Sequence, residues 1–186
     1  NRAMEFIEEN KDMPWFLHLS YIKPHWPYIA PAPYHNMYSA NEFYPVHRND
    51  AERNNDHPVY KAFMENSISK TFSKDEVRNT VLSGYMGLIK QIDDNLGRLF
   101  KFLESSGHMD DTMIVFTSDH GDYQGDHWLG EKELFHEQSV RVPMIIYDPS
   151  DYANKTRGTK EERFIEAIDL LPTFLDAVES LSLIHI

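Results

Sequence analysis

The 186-residue sequence contains no cysteine, so disulfide bonds within it are excluded. Basic residues are few, with 18 Lys and Arg against 30 Asp and Glu, for a net charge of -12. A nucleic-acid partner is not expected, because phosphate backbones are bound by clustered Lys and Arg. A small anionic substrate stays possible, since a metal ion and one or two cationic side chains create a local positive potential in an acidic protein. No apolar run approaches the roughly 18 residues of a membrane helix, so no membrane partner is expected.

What is present fits a folded chain, with 41% hydrophobic and 13% aromatic residues. This length is enough for one domain with a core. The missing cysteines do not fix the compartment, the first residues lack a signal-peptide pattern, and we expect a cytoplasmic location in preference to a periplasmic or secreted one. No pattern indicates an oligomeric state.

Both ends of the sequence suggest a piece of a longer protein. The chain starts inside an amphipathic helix without a start methionine. Residues 181–186 are an apolar stretch that follows a polar helix end and fits no predicted element. We expect them to be a non-native tail from adapter read-through, the alternative being a short natural apolar tail.

The first third of the chain is rich in aromatics and prolines. Residues 2–10 are predicted to end a helix, and the apolar run Trp15–Tyr21 is predicted to be a buried strand. Four prolines between Ile22 and Tyr34 exclude a regular helix. Residues 35–71 are polar and weakly patterned, which predicts a long excursion with short helical pieces.

The remaining two thirds alternate strands and helices. Ser73-Lys-Asp-Glu76 has the form of a capping box. The apolar residues after it, spaced by three and four, predict a long helix that ends at Gly107. Strands are predicted at Met113–Thr117 and Val142–Tyr147, with a short strand at 164–168 and a last helix capped by Asp169. This order predicts an α/β fold with a mainly parallel sheet flanked by helices.

The most informative stretch is Thr112-Met-Ile-Val-Phe-Thr-Ser-Asp-His-Gly-Asp122. Ligands bind just beyond the carboxyl ends of strands in open α/β sheets. Asp119 and His120 follow such a strand and could hold a divalent cation through oxygen and nitrogen. Lys132 lies 13 residues after Asp119. A cation with a nearby ammonium suits a tetrahedral anionic substrate.

Several pieces of sequence, in order, resemble the sulfatase branch of the alkaline phosphatase superfamily, and within it the phosphonate monoester hydrolase group. These pieces are Pro14-Trp-Phe-Leu-His-Leu-Ser-Tyr-Ile-Lys-Pro-His-Trp-Pro-Tyr28, Ala32-Pro-Tyr34, Gln91-Ile-Asp-Asp-Asn-Leu-Gly97, Thr117-Ser-Asp-His-Gly-Asp122, Gly125-Asp-His127, Lys132, Arg141-Val-Pro-Met144 and Ile168-Asp-Leu-Leu-Pro-Thr173. The resemblance implies an incomplete alkaline phosphatase-like core, with residues 1–180 as the middle-to-C-terminal part of a sulfatase-type catalytic domain. It implies metal-dependent hydrolysis of a small anionic ester: a sulfate ester, or a phosphonate or phosphate mono- or diester.

The resemblance also implies roles for four residues. Asp119 and His120 match the second half of the family's metal site, which holds one divalent ion (Ca, Mn, Mg or Zn). Lys132 matches the lysine that contacts the transferred group, and His25 matches the histidine that binds the substrate oxyanion or assists the leaving oxygen. The family's nucleophile is a formylglycine made from Cys or Ser in a Cys/Ser-x-Pro-x-Arg motif, which is absent here together with the first metal-binding Asp pair. Both are expected upstream of this fragment, which alone is expected to be inactive.

Each assignment has a plainer alternative. Asp-His-Gly after a strand is often only a turn, a loop lysine is usually solvated, and His25 could simply pack against Trp26. Asp126 and His127 could be further ligands or could order their loop through hydrogen bonds. Other residues are interpreted as surface, structural or packing groups: His35, His47, His57, Asp93, Asp94, Tyr21, Trp26 and Tyr28, the last three with an aryl-ester pocket as the alternative.

Two other functions are alternatives to the ester hydrolase. One is a phosphotransferase or phosphodiesterase of the same superfamily with a Ser or Thr nucleophile. The other is a metal-stabilised binding module without catalysis. The identity of the upstream nucleophile separates the first from the ester hydrolase, and turnover by the full-length protein excludes the second.

Overall fold

The computed structural model describes residues 2–39 and 42–178. The expected non-native tail at 181–186 lies outside the described residues. The chain divides into two compact units, 1–149 and 150–186. Helices and strands of the first unit are α1 (Arg2–Glu9), α2 (Pro58–Glu65), α3 (Ser67–Phe72), α4 (Asp75–Ser106), β1 (Ile114–Thr117), α5 (Glu137–Val140) and β2 (Met144–Tyr147). The second unit contains the short 3-10 turns Asp151–Lys155 and Ala167–Asp169 and helix α6 (Leu170–Ala177).

The 32-residue helix α4 dominates the first unit. It ends at Gly107, whose φ of +82° is the left-handed conformation that terminates helices, so the predicted end is confirmed. The predicted capping box at its start is wrong. Ser73 closes the preceding helix α3 instead, with its hydroxyl donating to the Ser69 carbonyl at 2.8 Å. Lys74 therefore takes the N-cap position without a side-chain hydrogen bond.

Two glycines on α4 let the proline-rich segment approach the helix closely. A Cβ at Gly84 would lie 2.4 Å from the Tyr28 carbonyl oxygen, and one at Gly87 would lie 2.3 Å from the Tyr34 carbonyl oxygen. Leu88 beside them is buried. The backbone of the segment that carries His25 and Tyr28 is thus set against a rigid helix.

The two strands differ from the expected parallel arrangement. β1 and β2 pair antiparallel, with Ile114 opposite Tyr147 and Thr117 opposite Met144. They are also less buried than their apolar sequences indicated, since Ile145 is 61% exposed. A continuous apolar run is typical of parallel strands, which predicted the wrong direction here, because strand direction depends on the path of the chain between the strands.

Two predicted strands are absent. Residues 15–21 have no regular secondary structure, and the sheet that the described residues form contains only β1 and β2. A strand needs a neighbouring strand to satisfy its backbone hydrogen bonds. Residues 164–166 are irregular and 167–169 form a 3-10 turn. There the Asp169 carboxylate accepts from the Glu166 backbone N–H at 2.8 Å instead of capping α6.

The excursion after residue 35 contains the expected short helical pieces, namely the 3-10 turns Tyr34–Asn36 and Asp50–Asn54 and helices α2 and α3. Among the described residues, no helix has both the length and the apolar composition to cross a bilayer.

Candidate active site

The loop that follows β1 carries most of the candidate residues. It folds back on α5, where the Gly121 N–H donates to the Ser139 carbonyl at 2.7 Å. A Cβ at Gly121 would lie 2.0 Å from the Gln138 carbonyl oxygen, so no other residue fits here without a backbone shift. The Ser139 hydroxyl in turn donates to the Lys132 carbonyl at 2.5 Å. Ser139 therefore joins the Asp-His-Gly segment to the segment that carries Lys132.

The backbone between Gly121 and Lys132 is strained. Four residues that are not glycine have positive φ angles: Gln124, His127, Trp128 and Glu131. Each such conformation costs of order 1–3 kcal/mol and persists only where surrounding contacts enforce it. Strain of this kind concentrates at functional sites.

Asp126 and His127 supply part of that enforcement. The Asp126 carboxylate accepts from the His47 backbone N–H at 3.0 Å and from the Gln138 amide at 3.2 Å. His127 Nδ1 lies 2.7 Å from a Glu52 carboxylate oxygen. Of the two interpretations offered for Asp126 and His127, these contacts favour loop ordering over metal binding.

Arg48, in the segment 35–71, holds the same loop in place. Its side chain is only 7% exposed. It donates to the carbonyls of Gly125 and Phe72, each at 2.7 Å, and to the Asp75 carboxylate at 2.7 Å. The guanidinium binds the three acceptors through three separate nitrogens, whereas an ammonium presents all its donors from a single atom and cannot reach acceptors spaced in this way.

The two candidate metal ligands lie side by side. His120 Nε2 is 3.6 Å from the Asp119 carboxylate, and the Asp119 side chain is 86% exposed. His120 Nδ1 lies 2.7 Å from the Gly121 carbonyl oxygen. That contact requires an N–H on Nδ1, which leaves the lone pair of Nε2 directed away from the backbone as a ligand. In residues 2–39 and 42–178, however, no three His, Cys, Asp or Glu side chains are grouped closely enough to form a complete metal site.

His25 and Lys132 meet across 107 positions of sequence, with Lys132 Nζ 3.2 Å from His25 Nε2. His25 Nδ1 lies 2.9 Å from the Trp26 carbonyl, which acts as its acceptor. An ammonium can only donate, so His25 is a neutral imidazole with its proton on Nδ1 and its Nε2 lone pair directed at Lys132. In this arrangement the positive charge of the pair lies on Lys132.

A second contact joins the same two segments. The Tyr28 hydroxyl donates to an Asp122 carboxylate oxygen at 2.6 Å. Burial raises the pKa of Asp122, and the hydrogen bond from Tyr28 partly opposes that shift. Burial also raises the pKa of Tyr28, and the neighbouring Asp122 raises it further. Sequence reasoning gave Tyr28 only a packing or pocket role and Asp122 none. The motif pieces containing both were the available signal, but their contact was not predictable from either piece.

The remaining candidates are distributed as follows. Asp94 accepts from Lys90 at 2.5 Å and from the Tyr34 hydroxyl at 3.0 Å, and Asp93 accepts from Lys90 at 3.0 Å. Both carboxylates are therefore engaged along α4. Several others have exposed side chains: His35, His47, His57, Tyr21 and Trp26.

Comparison with known proteins identifies the family. The family model described as Sulfatase matches residues 1–180. The chain belongs to the sulfatase family.

Individual relatives add detail. The chain is 39% identical to the multifunctional alkaline phosphatase superfamily protein PehA of Trinickia caryophylli, over 94% of this chain and 36% of that protein. It is 31% identical to an arylsulfatase of Clostridium perfringens, over 98% of this chain and 40% of that enzyme. The chain thus spans about two fifths or less of the length of these relatives.

Among solved structures, the phosphonate monoester hydrolase of Agrobacterium radiobacter superposes with a TM-score of 0.86 at 32% identity, over 95% of this chain and 37% of that one. The expected α/β class, an incomplete alkaline phosphatase-like core, is confirmed by this likeness. The antiparallel β1–β2 pair is a local departure from the mainly parallel order predicted for the sheet.

Proposed function

We propose that the protein containing this chain hydrolyses small anionic esters, either sulfate esters or phosphonate and phosphate mono- and diesters. The observation that carries the proposal is the contact between Lys132 Nζ and His25 Nε2 at 3.2 Å. Two residues this far apart in sequence form a cationic, proton-carrying pair in an acidic chain. The names of the relatives, an arylsulfatase and a phosphonate monoester hydrolase, support the same reaction class.

The Lys132–His25 pair suits sulfuryl or phosphoryl transfer. In such reactions negative charge develops on the equatorial oxygens and on the leaving oxygen, and catalysis consists mainly of positioning and electrostatic stabilisation. Lys132 has two donors left after its contact with His25, and these bind the equatorial oxygens. The proton that Lys132 Nζ donates to His25 Nε2 lies where it can pass to the leaving oxygen.

Asp119 and His120 fit one divalent cation by the chemistry of their donors. A carboxylate oxygen and an imidazole nitrogen lie on adjacent residues, and the Gly121 carbonyl fixes the histidine tautomer that ligation requires. A bound Ca, Mn, Mg or Zn ion would polarise the ester and help orient the nucleophile. Further ligands would come from residues outside this pair.

The proposal includes a formylglycine nucleophile carried by another part of the protein. The chain contains no cysteine and no Ser-x-Pro-x-Arg sequence. Membership of the sulfatase family supports this choice over a Ser or Thr nucleophile.

The test is kinetic and uses the full-length protein. Lys132→Ala and His25→Ala are each expected to lower kcat/KM for an aryl sulfate and for an aryl phosphonate monoester by about 10²-fold or more, as for loss of an electrostatic or acid–base group. Lys101→Ala on the exposed surface of α4 removes the same charge elsewhere and is the matched control. The proposal is wrong if the wild-type protein hydrolyses neither ester, or if Lys132→Ala behaves like Lys101→Ala.

A further inference from the structure

A single short segment makes two long-range contacts to the candidate site. His25 reaches Lys132, and Tyr28, three residues later, reaches Asp122. Asp122 in turn lies two residues after His120. The tyrosine–carboxylate contact therefore joins the segment that presents His25 to the segment that presents the proposed metal ligands.

Tyr28 is itself held rigidly. Its ring packs edge-on against Phe72 and Tyr85, with centroids 6.1 Å and 6.0 Å away. Its carbonyl oxygen lies directly against α4, 2.4 Å from where a Cβ of Gly84 would be. A hydroxyl fixed from both the ring and the backbone can set the position of the group that it binds.

Asp122 depends on that hydroxyl. One carboxylate oxygen accepts from Tyr28 at 2.6 Å, and the other accepts from the Gln124 backbone N–H at 3.1 Å. A buried carboxylate that loses a donor is expensive to keep in place, because the remaining lone pairs are cut off from water. Removing the Tyr28 hydroxyl should therefore move the loop that starts at Asp119, rather than leave it where it is.

We propose that Tyr28 and Asp122 are positioning residues, which hold the Asp119–His120 pair at a fixed distance from the Lys132–His25 pair. The inference deepens the proposed function and rests on it. Neither residue is assigned contact with substrate. Their effect passes through the neighbours that do the chemistry, His120 on one side and His25 on the other.

A matched control exists within the chain. Tyr34 comes from the same segment, and its hydroxyl also donates to a carboxylate, that of Asp94, at 3.0 Å. Asp94 lies on α4 and not in the loop after β1. Tyr34→Phe thus removes the same kind of hydrogen bond without touching either proposed pair.

The experiment compares Tyr28→Phe with Tyr34→Phe in the full-length protein by three measurements. These are the affinity for Mn²⁺ by titration calorimetry, amide hydrogen exchange of peptides covering 118–124, and kcat/KM. Tyr28→Phe is expected to weaken Mn²⁺ binding by about 10–100-fold, the usual effect of removing a group that orients a metal ligand. It should also speed exchange at 118–124 and lower kcat/KM by about 10-fold or more. Tyr34→Phe should leave all three within about twofold of wild type, since it changes no group near the site.

A second variant, Asp122→Asn, tests the same contact if Tyr28→Phe folds poorly. Asp122→Asn preserves side-chain volume but replaces one of the two accepting oxygens with an amide nitrogen, which cannot accept, so the Tyr28 hydroxyl and the Gln124 N–H can no longer both be bound. It should therefore weaken Mn²⁺ binding and speed exchange at 118–124 as Tyr28→Phe does, with Tyr28 unchanged. The double variant should lose no more than the worse single variant, within about twofold, because both changes act through one hydrogen bond. Independent, multiplicative losses would overturn the inference.

Equal Mn²⁺ affinity and equal exchange at 118–124 in Tyr28→Phe and Tyr34→Phe would also overturn it. If the wild-type protein binds Mn²⁺ but hydrolyses no ester, the proposed function fails while the metal affinities still test the positioning role. If Mn²⁺ does not bind at all, the metal part of the proposed function fails. Exchange at 118–124 then decides whether Tyr28 orders the loop.

Discussion

Gly84→Ala gives the sharpest test of how the site is built on helix α4. Alanine at an open helix position stabilises by about 0.5–1 kcal/mol relative to glycine, because it loses less backbone entropy. At Gly84 the new Cβ would lie 2.4 Å from the Tyr28 carbonyl oxygen. Carbon–oxygen contacts lie near roughly 3.3 Å, so the Tyr28 backbone must move by about 0.9 Å. Crowding of this kind costs about 1–3 kcal/mol.

Two further glycines of the same helix provide the comparison. A Cβ at Gly97 would meet nothing within 4 Å, so Gly97→Ala should show only the gain in helix propensity. Gly87 is crowded by the Tyr34 carbonyl at 2.3 Å, away from Tyr28. Urea unfolding followed by tryptophan fluorescence should place Gly84→Ala and Gly87→Ala about 1–3 kcal/mol below Gly97→Ala at unchanged m-value.

Only Gly84→Ala should also speed amide exchange at 118–124, because it alone displaces Tyr28 from Asp122. A Gly84→Ala protein as stable as Gly97→Ala would refute the close approach of Tyr28 to α4. Equal exchange at 118–124 in Gly84→Ala and Gly87→Ala would refute the link from that approach to the loop.

Three further predictions concern single side chains. Arg48→Lys should destabilise the fold by about 2–3 kcal/mol in urea unfolding, because an ammonium at this position leaves the buried carbonyl of Gly125 or of Phe72 without a donor. Arg53 is exposed, so Arg53→Lys should change the stability little. Asp119→Asn should weaken Mn²⁺ binding by about 10-fold or more in calorimetry. It should not lower Tm, because the Asp119 side chain is 86% exposed. An unchanged affinity would show that Asp119 is not a metal ligand. Burial, and to a lesser extent the nearby His127, lower the pKa of His136 in the folded protein. The unfolded chain therefore binds more protons at acidic pH, and the folding stability should fall as the pH drops below about 6.5. His136→Asn keeps an acceptor for the Tyr123 hydroxyl, 2.8 Å from His136 Nδ1, and cannot titrate, so its Tm should vary less between pH 7.5 and 5.5 than that of wild type.

Local patterns predicted the parts of the fold that local interactions determine. Helix α4 follows from apolar residues spaced by three and four and from a glycine stop, because a helix makes its hydrogen bonds within itself. Residues 15–21, which form no regular secondary structure, show the opposite case. Their composition is that of a strand, but strand formation depends on a partner elsewhere in the chain.

The site shows the same division. Asp119, His120, Lys132 and His25 were predicted as site residues from motif pieces, each of which is readable within a few residues. The contact between Tyr28 and Asp122 spans 94 positions, and nothing local to either residue specifies it. The antiparallel direction of β2 likewise depends on the path of the chain between the strands and not on the residues within them.

The joint attachment of His25 and Tyr28 has a consequence for protein engineering. The chain from Asp122 to Lys132 is tied at its start and its finish to one short stretch, residues 25–28. A loop borrowed from a homologue is expected to keep its geometry only if residues 25–28 are exchanged with it, because they hold both of its ends. Loops grafted into this fold should therefore be exchanged together with residues 25–28.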